Sequence, residues 1–276
     1  MACTSNKRIT FYRKSLIDLD KPNVTITITD PVATNTGQAS VDFMRNRNNN
    51  SSWATSASDD TANTEILVEM GDLLDITDIM IIKHTFKDYI VEYLDPNTTL
   101  FVTYENIVGA TLDTAVLTKT NAITTRTIKI TVFNTQIADD DKVMRQLVIT
   151  ERFWGGEFES SPQIKKPMSS KNKRINKLLS GKVNVVEGRG AYSVTLEVKL
   201  NEDKDLTIIE AIYENREGVL MLLSGGNEDQ FITRRVGYRN EDIVLVRPVD
   251  EYINPYDIGV YQNRIKIKMK LNEAVF

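Results

Sequence analysis

Alternation of apolar and polar positions dominates the first half of the chain. Val24, Ile26 and Ile28 alternate with Thr25, Thr27 and Thr29, a period of two that turns one face of a strand toward a core. Ile66-Leu67-Val68 runs on to Gly71, Ile79 to Ile82 is a compact, mostly β-branched run, and Tyr89 to Tyr93 alternates again. Leu100 to Tyr104, Thr127 to Phe133 and Gln146 to Glu151 continue the series between clusters of Asn, Asp, Gly and Thr. Short strands at this spacing predict a β-sandwich or jelly roll over residues 1–153, with the first 20 or so residues as an N-terminal arm.

The texture changes after Phe153. Residues 154–179 contain Gly155-Gly156, Pro162, Pro167, several serines and the basic residues Lys165, Lys166, Lys171, Lys173, Arg174 and Lys177. This stretch reads as a basic linker or exposed extension. Packing resumes in a second domain, 180–276. Lys182 to Val186 and Ala191 to Leu200 flank Glu187-Gly188-Arg189-Gly190 and predict a hairpin. One helix is expected over about 205–216, with Leu206, Ile209, Ile212 and Tyr213 on one face and Gly218 as its stop. Val219 to Leu223, Ile243 to Val246 and Gln262 to Leu271 predict further strands. In the last of these Ile265, Ile267, Met269 and Leu271 face a core while Lys266, Lys268 and Lys270 face out. The expected fold class is therefore mainly β, a jelly-roll sandwich followed by a second β-sandwich domain with one short helix.

Composition changes this picture little. The 276 residues are 41% hydrophobic and 26% charged, the formal charge is −4 and the pI is near 5.3. Such a balance gives no general attraction to nucleic acid or an anionic membrane. No run approaches the ~18 apolar residues that span a bilayer, and the N-terminus lacks an apolar leader. The expectation is a soluble chain that folds in a cytoplasm, without nucleic-acid partner or membrane insertion. Cys3 is the single cysteine, so no intrachain disulfide is possible.

Little in the sequence points to catalysis. His84 is the only histidine and reads as a structural residue at the end of a strand; a role as a base would need partners that the spacing does not supply. Asp59-Asp60 and Asp139-Asp140-Asp141 read as turns held by Asx hydrogen bonds, with calcium as the alternative, and neither fits the EF-hand spacing. Phosphate-cradling loops and nucleophile elbows do not occur. No enzyme, cofactor or metal is expected. The polar loop Arg45-Asn46-Arg47-Asn48-Asn49-Asn50 is a candidate contact surface, in which Arg45, Arg47, Asn48 and Asn49 would face a ligand. Lys165, Lys166 and Arg174, together with Lys266, Lys268 and Lys270, are candidate assembly contacts. The final-strand lysines read equally well as protection of a sheet edge.

Four segments resemble the discoidin family, the coagulation factor 5/8 type C domain, in family order. They are Asn50-Ser51-Ser52-Trp53-Ala54-Thr55-Ser56 with Asp59-Asp60; Ile66-Leu67-Val68-Glu69-Met70-Gly71 followed by Ile76-Thr77-Asp78-Ile79; Tyr89-Ile90-Val91-Glu92-Tyr93; and Thr125-Arg126-Thr127-Ile128-Lys129-Ile130, closed by Ile149-Thr150-Glu151. The resemblance implies a jelly roll with Trp53 in its core and binding of a sugar or lipid headgroup through loops at one end. The terminal cysteine pair of extracellular members is missing, and Glu69-Met70 stands where Asp-Leu is usual. Residues 180–276 resemble in layout the modules of bacteriophage distal tail and baseplate proteins. That resemblance implies a ring-forming virion component, folded in a host cytoplasm, with itself and other tail proteins as partners. The alternative is a carbohydrate-binding module whose partner is a cell-surface glycan.

Overall fold

The computed structural model describes residues 8–32, 41–46, 51–56, 59–157, 163–165, 172–177, 183–188, 193–199, 203–214, 218–223, 243–251 and 266–273. The chain forms two compact units, one built on Tyr12–Arg152 and the other on Met1–Phe11, Phe153–Glu228 and Val244–Phe276, with Asp229–Ile243 assigned to the first. The fold is mainly β, with a single α-helix among the described residues.

The strands in chain order begin with β1 (Arg8–Tyr12), β2 (Thr25–Thr29), β3 (Trp53–Ala54) and β4 (Thr64–His84). There follow β5 (Phe86–Leu94), β6 (Phe101–Ile107), β7 (Thr114–Thr135) and β8 (Val143–Thr150). In the first unit the order is β3-β8-β4-β7-β5-β6, with β2 added on β4. Two strands, β4 and β7, are 21 and 22 residues long and serve both layers of the sandwich. The first part of β4 pairs with β2 and with the second part of β7; its last part pairs with β8 and with the first part of β7. Between these parts the ladder slips, from Glu69 to Leu74 and again from Ile76 to Asp78. Gly71 sits in the slip at φ 78°, and a Cβ there would stand 2.9 Å from the Asn23 Cβ. Glycine meets both requirements, a left-handed backbone and a close neighbour.

Residue pattern explains which face each strand buries. Along β2 the isoleucines are buried and the threonines exposed, and Ile66, Val68 and Met70 alternate with exposed Glu65 and Glu69 in early β4. Beyond the slip the pattern becomes continuous, and Ile76 to Ile82 is buried on both faces. One core cluster joins the two layers: Ile26, Ile66, Val68, Ile128, Ile130 and Tyr89 from one, and Ile79, Ile81, Leu117, Leu147 and Ile149 from the other. Trp53 lies in this cluster with no exposed surface. The start and end of the unit are stitched together. Leu16 N–H donates to the Ile149 carbonyl at 2.8 Å, Arg13 N–H donates to the Glu151 carbonyl at 2.9 Å, and the Arg13 guanidinium pairs with the Glu151 carboxylate at 2.9 Å. The first 20 or so residues were expected to form an N-terminal arm. Instead β1 is hydrogen-bonded into the sheet of the second unit, and residues 13–17 line β8.

The second unit holds β9 (Arg152–Glu157), β10 (Gln163–Lys165), β11 (Asn172–Lys177), β12 (Val183–Gly188), β13 (Ser193–Lys199), helix α1 (Asp203–Glu214), β14 (Val219–Leu223), β15 (Ile243–Pro248) and β16 (Lys266–Glu273). Seven strands form one sheet in the order β10-β13-β16-β15-β14-β1-β9, and β11 with β12 forms a separate ribbon. Helix α1 buries Leu206, Ile209 and Ile212, and the Tyr213 hydroxyl donates to Asp250 at 3.0 Å. Three expectations are corrected. The stretch read as a linker carries β9, β10 and β11, because Gln163–Lys165 and Asn172–Lys177 find ladder partners in β13 and β12. The hairpin expected between β12 and β13 does not form among the described residues, since β12 pairs with β11 and β13 with β10 and β16. Finally, β16 is an interior strand flanked by β13 and β15, so its lysines do not guard an edge.

Trp53→Ala removes the largest side chain of a closed core and is expected to cost about 3–5 kcal/mol. Urea unfolding of the variant measures it, and a loss below about 1 kcal/mol would show that the indole is not a core residue.

Candidate functional site

The described residues of the first unit present two ends. One carries the stitched segments 13–16 and 149–152; the opposite end gathers the turns around residues 59–63, 83–88, 108–114 and 134–143. Side-chain to backbone hydrogen bonds hold these turns. Thr85 is the first node: its N–H donates to the Val143 carbonyl (3.1 Å), its carbonyl accepts from Gln136 N–H (2.7 Å), and its hydroxyl donates to the Asp141 carbonyl (3.0 Å). Gln136 is the second, since Nε2 donates to the carbonyls of Phe86 (3.2 Å) and Leu112 (2.8 Å). Asp88 accepts from Gly109 N–H at 2.6 Å and from Asn134 Nδ2 at 2.7 Å. These bonds, the Asn134 amide foremost, hold the Asp88 carboxyl below the usual carboxylate range.

The two acidic clusters belong to this end and behave as turn locks. Asp60 accepts from the Thr135 N–H and hydroxyl, both at 3.0 Å, and from Asp139 N–H at 3.1 Å, while Asp139 accepts from Asp60 N–H at 3.3 Å. Asp59 accepts from the Thr61 hydroxyl and N–H, and these bonds lower its pKa. Among the described residues no group of three or more metal-ligating side chains is assembled.

Backbone strain concentrates at the same end. Three described non-glycine residues have positive φ, and two of them, Lys83 (54°) and Asp139 (59°), lie here. A left-handed lysine costs about 1–2 kcal/mol. Lys83 is held there by its N–H bond to the Thr114 hydroxyl and by an ion pair with Asp113 at 2.5 Å, both side chains about one-third exposed (34% and 39%). In the turns of this end Val108, Leu112 and Ile137 expose apolar surface, Val108 and Ile137 to 78% and 70%. Next to Lys83, His84 turns inward against Phe86 and Tyr89. Its Nδ1 accepts the Phe86 N–H at 3.1 Å, and its buried Nε2 meets no acceptor. Burial pushes the imidazole down to about 4, against the opposing pull of the Asp113 charge.

The expected contact residues fare differently. Arg45 is a brace, its guanidinium pairing with Asp42 at 2.9 Å and donating to the Val24 carbonyl at 3.4 Å. Arg47, Asn48 and Asn49 lie outside the described residues, as does Lys166. Lys165 and Arg174 are placed by backbone only, opposite Ser193 and Val186. Lys268 and Lys270 are exposed beside buried Met269 and Leu271, and the ladder sets Lys268 opposite Glu197 and Lys266 opposite Lys199. The loop-end set Lys83, Asp113, Asp88 and Gln136 was not anticipated. A faint signal existed in Lys83-His84-Thr85, a polar break between the apolar run 79–82 and Phe86.

No protein-family model matches the chain, and no curated protein matches it. Solved structures similar to part of the chain include chitosan-binding module 1 from a chitosanase/glucanase of Paenibacillus sp. IK-5 (TM-score 0.40, 12% identity, 50% of this chain and 98% of that one). Two others are family 32 carbohydrate-binding modules. One is from Streptococcus pneumoniae EndoD (0.39, 11%, 50% and 99%), the other from Clostridium perfringens NanJ in complex with galactose (0.38, 15%, 52% and 99%).

His84 makes stability depend on pH. Its folded pKa lies below the unfolded value near 6.5, so the unfolded chain takes up a proton that the fold refuses. Stability is full above pH 6.5 and declines as pH falls toward 4. The expected loss between pH 7.5 and 5.0 is about 2 kcal/mol. His84→Asn keeps an acceptor for Phe86 N–H and should flatten this slope in urea titrations; an unchanged slope would place the titration elsewhere.

Proposed function

We propose that the jelly-roll unit is a non-catalytic glycan-binding module whose ligand sits on the loop end. The observation that carries this reading is the Lys83–Asp113 pair. A donor and an acceptor are fixed side by side at 2.5 Å, part-open to solvent, on a backbone held in a left-handed conformation. Strain of this kind persists where surrounding structure overrides it, and it concentrates at binding sites. Adjacent hydroxyls of a pyranose ask for such a donor–acceptor pair, and the exposed aliphatic groups of Leu112 and Ile137 offer contact for its C–H face. The fixed turns around the pair reduce the ordering cost of binding. A ring-forming virion component was the leading expectation, with the carbohydrate-binding module as its alternative. No comparison supports the virion component.

Calorimetric titration with galactose, fucose, GalNAc-β-1,3-galactose and chitosan oligomers tests the reading. At least one should bind. Lys83→Gly relieves the left-handed strain, so the variant should gain about 1 kcal/mol of stability while losing at least about tenfold in affinity. Full affinity in a stabilised Lys83→Gly protein would remove Lys83 from the site, and silence across the panel would count against a glycan ligand.

A further inference from the structure

Lys142 is the last residue before β8, and its side chain is fully buried. A buried ammonium survives only where oxygen atoms replace its water. Here Nζ donates to the Asp59 carbonyl at 2.7 Å and the Ala62 carbonyl at 3.2 Å, and lies 3.9 Å from the carboxylate of Asp30. The Asp30 side chain is itself fully buried and accepts from the Thr64 hydroxyl. Around the stem the backbone is clamped: Lys142 N–H donates to the Thr55 hydroxyl at 2.8 Å, and Thr55 N–H donates to the Lys142 carbonyl at 3.0 Å. The oxygens come from segments far apart in sequence, after β2 and before β4. Carbonyl and carboxylate oxygens converging on one positive centre form the arrangement proteins use for small hard cations.

We infer that the Lys142 ammonium is a built-in cation that holds the loop end in its binding conformation. It fixes the 59–62 turn directly. The reciprocal Asp60–Asp139 bonds and the Asp60 bonds to Thr135 then carry that order to the 135–141 turn beside Gln136. Gln136 in turn holds the carbonyl of Leu112, next to Asp113 of the proposed contact pair. Lys142 is thus a positioning residue, remote from any ligand. Its role as an ordering centre rests on these contacts alone; only its relevance to binding rests on the glycan reading.

Amide hydrogen exchange of the full chain, without any glycan, tests the inference. Lys142→Met keeps the stem and deletes the charge. The Thr135 and Asp139 amides should then exchange at least tenfold faster while Ile66 and Ile130, in the β4–β7 ladder, keep their rates. Lys142→Ala should show the same pattern, and propylammonium, not n-propanol, should reverse it by refilling the oxygen cage with charge. Equal acceleration at all four amides in Lys142→Met would make Lys142 a general stabiliser and overturn the inference, as would unchanged exchange at Thr135 and Asp139. Equal rescue by n-propanol would replace the cation with simple volume filling. If Lys142→Ala does not fold, Lys142→Met decides alone. Because no reading involves a sugar, this test and the glycan titration can fail independently.

Discussion

Two strands that belong to both layers of a sandwich impose the constraint on which the first unit rests. Since β4 and β7 run through both layers, the double sheet must change direction where their ladder slips, between Glu69 and Leu74 opposite Thr127 and Thr125, and between Ile76 and Asp78 opposite Ile123 and Thr118. The slip in register and the left-handed Gly71 accomplish this turn. Beyond it the strand enters a layer where both faces are covered, which is why alternation in Ile66 to Met70 gives way to the unbroken run Ile76 to Ile82. Everything at the loop end follows from where these two strands stop. His84 ends β4, Thr114 begins β7 and Thr135 ends it, so the turns bearing Lys83, Asp113, Gln136 and Asp139 emerge together.

That end combines two opposed demands. A binding surface needs polar groups part-open to water, yet turns that expose them lose the ladder bonds that order a strand. The chain meets this with side chains that bond to backbone: Thr85, Asp60, Asp88 and Gln136 each engage main-chain atoms of at least one other turn. Bonds to ionised carboxylates are stronger than neutral ones, and the lowered pKa of Asp88 reflects them. Beneath the surface lie two buried polar groups with contrasting solutions. Lys142 is surrounded by oxygen acceptors, whereas His84 stays neutral with an unmatched Nε2. A strained Lys83 and an incompletely satisfied His84 occupy adjacent positions where binding is proposed.

Much of the fold was legible because it depends on period. The strands of residues 24–150 and the buried face of helix α1 follow from spacing of apolar residues, whereas the core place of Trp53 came from the family resemblance. Partner choice was not legible. Periodicity states which face of β12 and β13 is apolar but not that each would pair with a different strand, so the hairpin expected across Gly188 was misplaced. The basic residues of 154–179 suggested solvent, yet a backbone ladder accepts lysine and arginine readily when their side chains turn outward. Site residues were least visible. Lys83, Asp113 and Lys142 are ordinary in sequence and gain meaning only from a left-handed φ, a 2.5 Å ion pair and a cage of carbonyls. The acidic clusters at 59–60 and 139–141 were read as turns because bonds such as Thr61 N–H to Asp59 are local in sequence. The Asp60–Asp139 bonds that join the two turns span 79 positions and were not legible.

The central claim is that the loop end, rather than a sheet face, is where this unit meets a ligand. Mapping backbone amide chemical shifts while adding whichever glycan of the titration panel binds tests it most directly. The account predicts perturbations confined to residues 83–88, 108–114 and 134–142. Shifts centred instead on the exposed face of β2 and β6, Thr25 to Thr29 and Phe101 to Glu105, with the loop end unmoved, would contradict it.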